Sequence, residues 1–340
     1  MAKIVFFCHG LKMSKFETVE FYRQDVEALR ALGHQVVLAT AWWKIPLNFD
    51  LLFVWWWSHA LVPILMAKLR AKPCIVCGTL NFRWDFSPEN SEVVDYFHRP
   101  VYQRLVLALA LKLATRNFII GQRELEDCTK YFRITTGRYF PCVIGDEYMC
   151  GPGGTRELAM LSVSWFQTTN LKRKGIPDLL EAVRVTKEHG FDLHLYLVGH
   201  EGDGWDFVSA LVKDLDIEDR VHLLGEVDRD TKIELLRRCE VYVQPSYYEG
   251  FGLAIAEAMA CGACVITCDV GAVKEVVGDT ALFVRPGAPE ELARTIEKAV
   301  SEPVLRSRLQ AAAYARAKAA FSSERKRQMV AKYLEELGIR

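Results

Sequence analysis

The chain has 340 residues, of which 51% are hydrophobic, enough to bury two cores rather than one. Lysine plus arginine and aspartate plus glutamate each number 43, so no basic excess points to a nucleic-acid partner and no acidic excess to a solvating tail. The ten cysteines are scattered through apolar runs (Cys8, Cys74, Cys77, Cys264, Cys268) with no signal peptide ahead of them, which reads as reduced thiols in a cytoplasmic protein. Cys74-x-x-Cys77 and Cys261-x-x-Cys264 have zinc-ligand spacing. Residues three apart in a strand face opposite sides, however, and neither pair encloses a glycine turn, so no metal site is expected.

In chain order, Lys3 to Cys8 reads as a strand, Glu17 to Leu32 as an amphipathic helix closed by Gly33, and Gln35 to Ala39 as the next strand. Leu51 to Trp57 predicts a strand, His59 to Arg70 a helix and Pro73 to Cys77 a strand, followed by a long loop from Gly78 to about Asn90. Arg99 to Arg116 then reads as a helix and Asn117 to Ile120 as a strand. Alternation of this kind implies a parallel sheet. Residues Pro141 to Gly154 hold four glycines and two prolines and read as a linker between two Rossmann-like halves.

The second half repeats the pattern: strand Met160 to Phe166, helix Pro177 to His189, strand Leu193 to Val198, helix Trp205 to Asp214, strand Val221 to Leu224 and a short helix Thr231 to Arg238. Ligands of open parallel sheets bind beyond the carboxyl ends of strands, so the loops after Phe166, Val198, Leu224 and Gln244 are expected on one rim. A last helix, Ser323 to Leu337, closes the chain.

Gln244-Pro-Ser-Tyr-Tyr-Glu-Gly-Phe-Gly-Leu-Ala-Ile-Ala-Glu257 is the most telling stretch. Glu240 to Gln244 alternates and is β-branched, Pro245 ends it, and Gly252 to Ala260 is small and apolar all round, the mark of a buried helix. The amides of Gly250, Phe251, Gly252 and Leu253 then sit at the positive end of that helix, where a diphosphate fits. Glu257 lies among apolar neighbours and must either hold a fixed partner or face a cleft; the cleft is the preferred reading. If the helix begins early, a rise of about 1.5 Å per residue puts Glu249 and Glu257 on the order of 12 Å apart. That exceeds the roughly 5 to 9.5 Å between glycosidase carboxylates, so hydrolysis by this pair is disfavoured.

Asn170-Leu-Lys-Arg-Lys-Gly-Ile-Pro177 holds Arg173 and Lys174 in a loop beside a helix whose first turn contains Pro177 and Asp178, suited to neutralising a pyrophosphate. Gly199, after the strand ending at Val198, would let a nucleotide lie close to the backbone. No G-x-G-x-x-G is present, so a dinucleotide site has no support from that fingerprint.

Glu249 and Glu257, spaced E-x(7)-E within Pro-Ser-x-x-Glu-Gly-Phe-Gly, resemble the donor motif of glycosyltransferase family 4. The resemblance implies an α/β GT-B fold: two Rossmann-like domains facing a central cleft, with the C-terminal helix crossing back to the N-terminal domain. It places an acceptor domain at residues 1–147, joined by the helix at about 323–340, and a nucleotide-sugar donor domain at 148–322. It implies a retaining glycosyltransferase with Glu249 on the transferred sugar, Glu257 on the ribose, and Arg173 and Lys174 on the diphosphate. Ser246, Gly250, Phe251, Gly252 and Leu253 would line the donor, and Glu226 and Val227 match the base-contacting region, although Glu226 reads equally as a surface carboxylate.

The donor implied is a UDP- or GDP-sugar with no required cofactor or metal, and the acceptor a sugar or lipid-linked sugar. Location is expected to be cytoplasmic, with peripheral attachment to a membrane through 59–70 or 99–116 left open. Departures from the family pattern are Ser164-Trp165 where a Gly-Arg pair is common, and His9-Gly10 where a glycine pair is common. A lone histidine such as His9 is structural more often than cleft-lining, and both readings stand. Trp55-Trp56-Trp57 reads as core, and the apolar run Phe53 to Leu69 falls short of the roughly 20 residues needed to span a bilayer. A GT-B epimerase, a phosphorylase or a non-catalytic sugar-nucleotide scaffold would share the fold.

Overall fold

The computed structural model describes residues 1–83, 95–152, 156, 158–200 and 202–339; Trp84, Glu201, Gly153, Gly154 and most of the long loop expected after Gly78 lie outside them. The chain divides into two compact units. Unit 1 holds residues 1–83, 95–145 and 320–339, and unit 2 holds 146–319.

Unit 1 runs β1 (Lys3–Phe7), α1 (Lys15–Thr18), α2 (Glu20–Ala31), β2 (Gln35–Ala39), β3 (Leu51–Trp55), α3 (Leu61–Leu69), β4 (Cys74–Gly78), α4 (Val101–Leu113), β5 (Arg116–Ile119), α5 (Gln122–Phe132) and β6 (Gly137–Tyr139). Its six strands are all parallel in the order β2-β1-β3-β4-β5-β6. Central strands are apolar throughout, as Leu51-Leu-Phe-Val-Trp55 shows, because a parallel sheet is covered on both faces. Since β3, β4, β5 and β6 succeed one another in one direction, right-handed crossovers put α3, α4 and α5 on the same face. There Val5, Phe7, Leu52, Val54 and Val76 pack with Ile64, Ala67, Leu107, Ala110 and Leu111. The other face stacks Phe6 on Phe53 and Phe118 on Phe140.

Unit 2 runs β7 (Leu158–Val163), α6 (Thr168–Arg173), α7 (Ile176–Glu188), β8 (Leu195–Val198), α8 (Trp205–Asp214), β9 (Val221–Gly225), α9 (Arg229–Arg238), β10 (Cys239–Gln244), α10 (Leu253–Ala260), β11 (Cys264–Thr267), α11 (Val273–Val277), β12 (Ala281–Phe283), α12 (Pro289–Ser301) and α13 (Pro303–Ala320). Its strands are also all parallel, ordered β12-β11-β10-β7-β8-β9. Helices α7, α8 and α12 pack together, as do α9, α10 and α11. The last helix, α14 (Ser323–Glu336), returns to unit 1 and lies along α2. Its Lys326 is buried, sits 2.9 Å from the equally buried Asp25, donates to the Pro141 carbonyl at 3.0 Å and lies over the Phe140 ring. Asp25 also accepts from Trp55 Nε1 at 3.1 Å.

Two expected elements of unit 1 differ. The helix read as Glu17 to Leu32 is broken at Val19, whose extended backbone (ψ 117°) lets α1 and α2 take different directions. The strand read through Trp57 stops at Trp55, because Trp56 adopts a left-handed φ of 73°. Trp55 and Trp57 are core as expected; Trp56 is half-buried, and Trp42 and Trp43 stand exposed.

Candidate functional site

In unit 2 the strand order reverses between β7 and β10, and ligand crevices of open α/β sheets form outside the carboxyl ends of strands at such a point. The loops leaving these two strands carry the unusual residues. After β10, Gln244 is wholly buried and donates through Nε2 to Glu249 Oε1 at 2.8 Å and to Ser246 Oγ at 3.1 Å, while Ser246 Oγ lies 3.3 Å from the same Glu249 oxygen. The Gln244 Oε1 accepts from Tyr242 OH at 2.7 Å and from Lys174 Nζ at 3.2 Å. One amide thus links an ammonium and a carboxylate from two different loops.

Arg173 completes the arrangement. Its Nη1 lies 3.1 Å from Glu249 Oε1 and donates to the Tyr248 carbonyl at 2.6 Å, and its Nη2 donates to Asn170 Oδ1 at 2.7 Å. Lys174 Nζ also donates to the Val163 carbonyl at 2.9 Å. Burial pushes the Lys174 ammonium down to about 8, against the pull of Glu249, which favours its charge. A base held near neutrality beside a fixed guanidinium is a group ready to take on an anion.

The local backbone explains how Arg173 and Lys174 get there. The basic run is not a loop: α6 spans Thr168–Arg173, its first amide capped by Asp203 Oδ1 at 3.1 Å, and Asn170 Nδ2 ties it to Ser164 Oγ at 3.1 Å. Both anchors come from outside the hexapeptide, so its own composition does not announce a helix. Gly175 then turns the chain into α7 with φ 68°, and a Cβ there would meet the Pro245 carbonyl oxygen at 2.2 Å. Tyr247 N donates to the Arg173 carbonyl at 2.8 Å, so the two loops are joined backbone to backbone.

Glu249 precedes the helix rather than belonging to it, since α10 begins at Leu253 with Gly252 as its left-handed cap. The amides of Gly252 and Leu253 stand at the helix's positive end, with Gly250 and Phe251 just ahead. Glu257 has the fixed partner that the sequence reading set second: Lys232 Nζ on α9, 2.9 Å away, which also lies 4.9 Å from the Tyr148 ring centroid. The pair is formed because α9 packs on α10, a contact between segments 25 residues apart that no local pattern records.

Other expected residues are placed differently. Gly199 is required by the protein's own packing, since a Cβ there would lie 1.7 Å from the Ser164 carbonyl oxygen. Glu226 is exposed and hydrogen-bonded to His200 Nδ1, with Val227 half-buried beside it. His9 belongs to unit 1, where it follows β1 and faces His59 at a ring distance of 4.5 Å. Gln244 and Lys232 went unread; a buried glutamine closing an apolar strand before Pro245 was the available signal for the first.

Two all-parallel six-stranded sheets with α14 returning to the first unit make this a GT-B-type architecture, the fold of a large group of glycosyltransferases. Residues 166–316, within unit 2, match the family model described as "Glycosyl transferases group 1". In sequence the chain is 32% identical over 163 residues to O-antigen chain mannosyltransferase B of Escherichia coli, covering 48% of this chain and 43% of that protein. It is 40% identical over 121 residues to N-acetyl-alpha-D-glucosaminyl L-malate synthase of Bacillus anthracis, covering 34% and 30% respectively. The matches thus span less than half the length of these curated relatives. In structure the chain is similar to HepE of Anabaena, solved in complex with UDP and glucose, with a TM-score of 0.77, 18% identity and coverage of 99% and 100%.

Proposed function

We propose that the chain is a retaining glycosyltransferase that moves a hexosyl unit from a nucleoside diphosphate sugar to a hydroxyl of a glycan or lipid-linked glycan. The observation that carries this reading is the network at the β7/β10 switch point, beside the start of α10, in which Gln244 joins Lys174 to Glu249 and Arg173 pairs with the same Glu249 oxygen. Relatives named as glycosyltransferases and a similar fold solved with UDP and glucose support it.

In this reading the diphosphate lies against the Arg173 fork, the Lys174 ammonium and the amides at the start of α10. As the glycosidic bond breaks, negative charge grows on the leaving phosphate, and these groups stabilise it where it grows, already oriented and at no reorganisation cost. Their two positive charges can take the part that a divalent metal ion plays elsewhere, so none is needed here. Glu249, held by Gln244 and Ser246, accepts hydrogen bonds from hydroxyls of the transferred sugar, and Glu257 accepts from the ribose. The leaving phosphate oxygen takes the acceptor proton, which asks no general base of the protein. UDP and GDP are the donor nucleotides in view, with Glu226, Val227 and Gly199 near the base. A cytoplasmic site of action and peripheral attachment at a membrane surface belong to the same reading.

Glu249→Ala tests it. Transfer from the donor is expected to fall by at least roughly 10²-fold, while affinity for the nucleoside diphosphate stays within a few-fold. A fully active variant contradicts the role given to Glu249.

A further inference from the structure

We propose that the α3/α4 face of unit 1, together with the segment at 42–47, is a docking surface for an anionic lipid bilayer. It extends the peripheral attachment of the reading above to a particular surface and lipid charge, and it stands on observations in unit 1 that do not involve the donor residues.

Each of the three segments has an inner side that packs and an outer side that does not. On α3, Ile64 and Ala67 are buried while Val62, Leu65 and Leu69 are exposed, Leu69 at 86%. Spacings of three and seven put those three on one helix face. On α4, Leu107, Ala110 and Leu111 are buried while Val101, Leu105 and Leu109 are exposed, a stripe at steps of four with the exposed Lys112 three residues further on. Between β2 and β3, Ile45 and Phe49 join the same core cluster as Ile64 and Leu107, which places the segment on this face of the sheet. Trp42, Trp43 and Leu47 are turned outward, Trp43 at 66%. Helices α3 and α4 touch, and Arg70 Nε donates to the Leu47 carbonyl at 3.1 Å, so the three outer sides are continuous.

Charge decides the occupant. The chain as a whole balances its charges, yet residues 42–47, 61–72 and 99–115 contain no aspartate or glutamate and hold Lys44, Lys68, Arg70, Lys72, Arg99, Arg104 and Lys112. Among the described residues, Asp50 pairs with Lys72 at 3.0 Å and Asp95 with His98 at 2.8 Å at the margin, and Glu126 stands exposed on α5, beyond α4. Exposed aliphatic side chains with two tryptophans, on segments that carry cations and no acid of their own, match a bilayer interface with anionic headgroups, where aromatic rings and lysine stems settle at headgroup depth. No helix among the described residues is long and apolar enough to cross a membrane, so the contact is lateral.

The test is co-sedimentation of the whole chain with vesicles of phosphatidylcholine alone or of phosphatidylcholine and phosphatidylglycerol in equal parts. Binding is expected only to the mixed vesicles and is expected to be lost at about 0.5 M salt. Two variants read the surface: Lys44→Glu/Lys68→Glu/Lys112→Glu, and Trp43→Ser/Leu65→Ser/Leu105→Ser. Each is expected to lose roughly tenfold or more in vesicle affinity, with UDP affinity unchanged, which separates this inference from the donor site. Should a variant fail to fold, quenching of wild-type tryptophan fluorescence by brominated lipid in the mixed vesicles supplies the same answer. Absence of wild-type binding, equal binding to neutral vesicles, or full binding by both variants overturns the proposal. So does a concentration-dependent dimer that the serine variant abolishes without any vesicle binding, an outcome that assigns the face to a second copy of the chain.

Discussion

The loops at the switch point of unit 2, after β7 and β10, bring together Arg173, Lys174, Gln244, Ser246 and Glu249, whereas those of unit 1, after β1 and β3, bring together His9, Trp56 and His59. Both sheets have six parallel strands and one reversal of strand order, after the second strand in unit 1 and after the third in unit 2, yet one edge is built from ions tied into a network and the other from rings. Trp56 holds a left-handed backbone and donates through Nε1 to Tyr22 OH at 2.7 Å. Gly78 leaves it room, since a Cβ there would approach the Trp56 ring at 3.0 Å. A bulky residue at positive φ persists only where its surroundings over-determine it, so this edge is as deliberately built as the charged one. The fold therefore supplies a place for ligands, and the loop residues decide which chemistry occupies it.

Buried charge has different work in the two units. Lys326→Met in unit 1 leaves Asp25 buried with its main partner gone, and is expected to cost about 3–5 kcal/mol in denaturant unfolding, whereas substitutions at the charged edge of unit 2 act mainly on ligand binding. A loss under 1 kcal/mol would show that α14 is held by its rings instead. Next in size is Arg173→Ala/Lys174→Ala. It removes charge-assisted bonds worth about 1.5–3 kcal/mol each and is expected to weaken UDP or GDP by roughly 10²-fold while leaving the nucleoside within a few-fold. Equal losses for nucleoside and diphosphate in calorimetry would place the phosphates elsewhere.

A pH titration sharpens the same point. Lys174 is held down to about 8, below its value in the unfolded chain, so it is charged below pH 8 and loses its proton as pH rises through that value. Diphosphate affinity is therefore expected to fall between about pH 7 and 9, by up to roughly tenfold, and Lys174→Met is expected to flatten that slope. The stability of the free protein moves the other way, because above pH 8 the unfolded chain binds the proton more readily than the folded one. A pH-independent affinity in the wild type would contradict a protonated Lys174 at the phosphates. Smallest in its effect on binding is Lys232→Met, expected to weaken nucleotide affinity only a few-fold in calorimetry, while the buried Glu257 left without its cation costs stability in denaturant unfolding.

How much of this is legible in the sequence follows the same division. Helix α8 is read to the residue and α10 to within one, because apolar periodicity and the enclosing glycines are local signals. The E-x(7)-E motif points to Glu249 and Glu257, and the basic run to Arg173 and Lys174. Part of what escaped depends on packing at a distance: α6 needs Asp203 and Ser164, and Glu257 needs Lys232. Helix α5 and strand β6 escaped because Gln122-Arg-Glu-Leu-Glu-Asp-Cys reads as a polar stretch until Cys128 and Phe132 are seen to be buried, and β6 has only three residues.

The most direct measurement is calorimetric titration of the whole chain with UDP, GDP and ADP and their hexose conjugates, repeated on Arg173→Ala/Lys174→Ala. Saturable binding of one nucleotide series is expected, with the diphosphate increment over the nucleoside lost in the variant. No binding of any series, or binding that the double substitution leaves untouched, would contradict a nucleoside diphosphate sugar site at the β7/β10 edge.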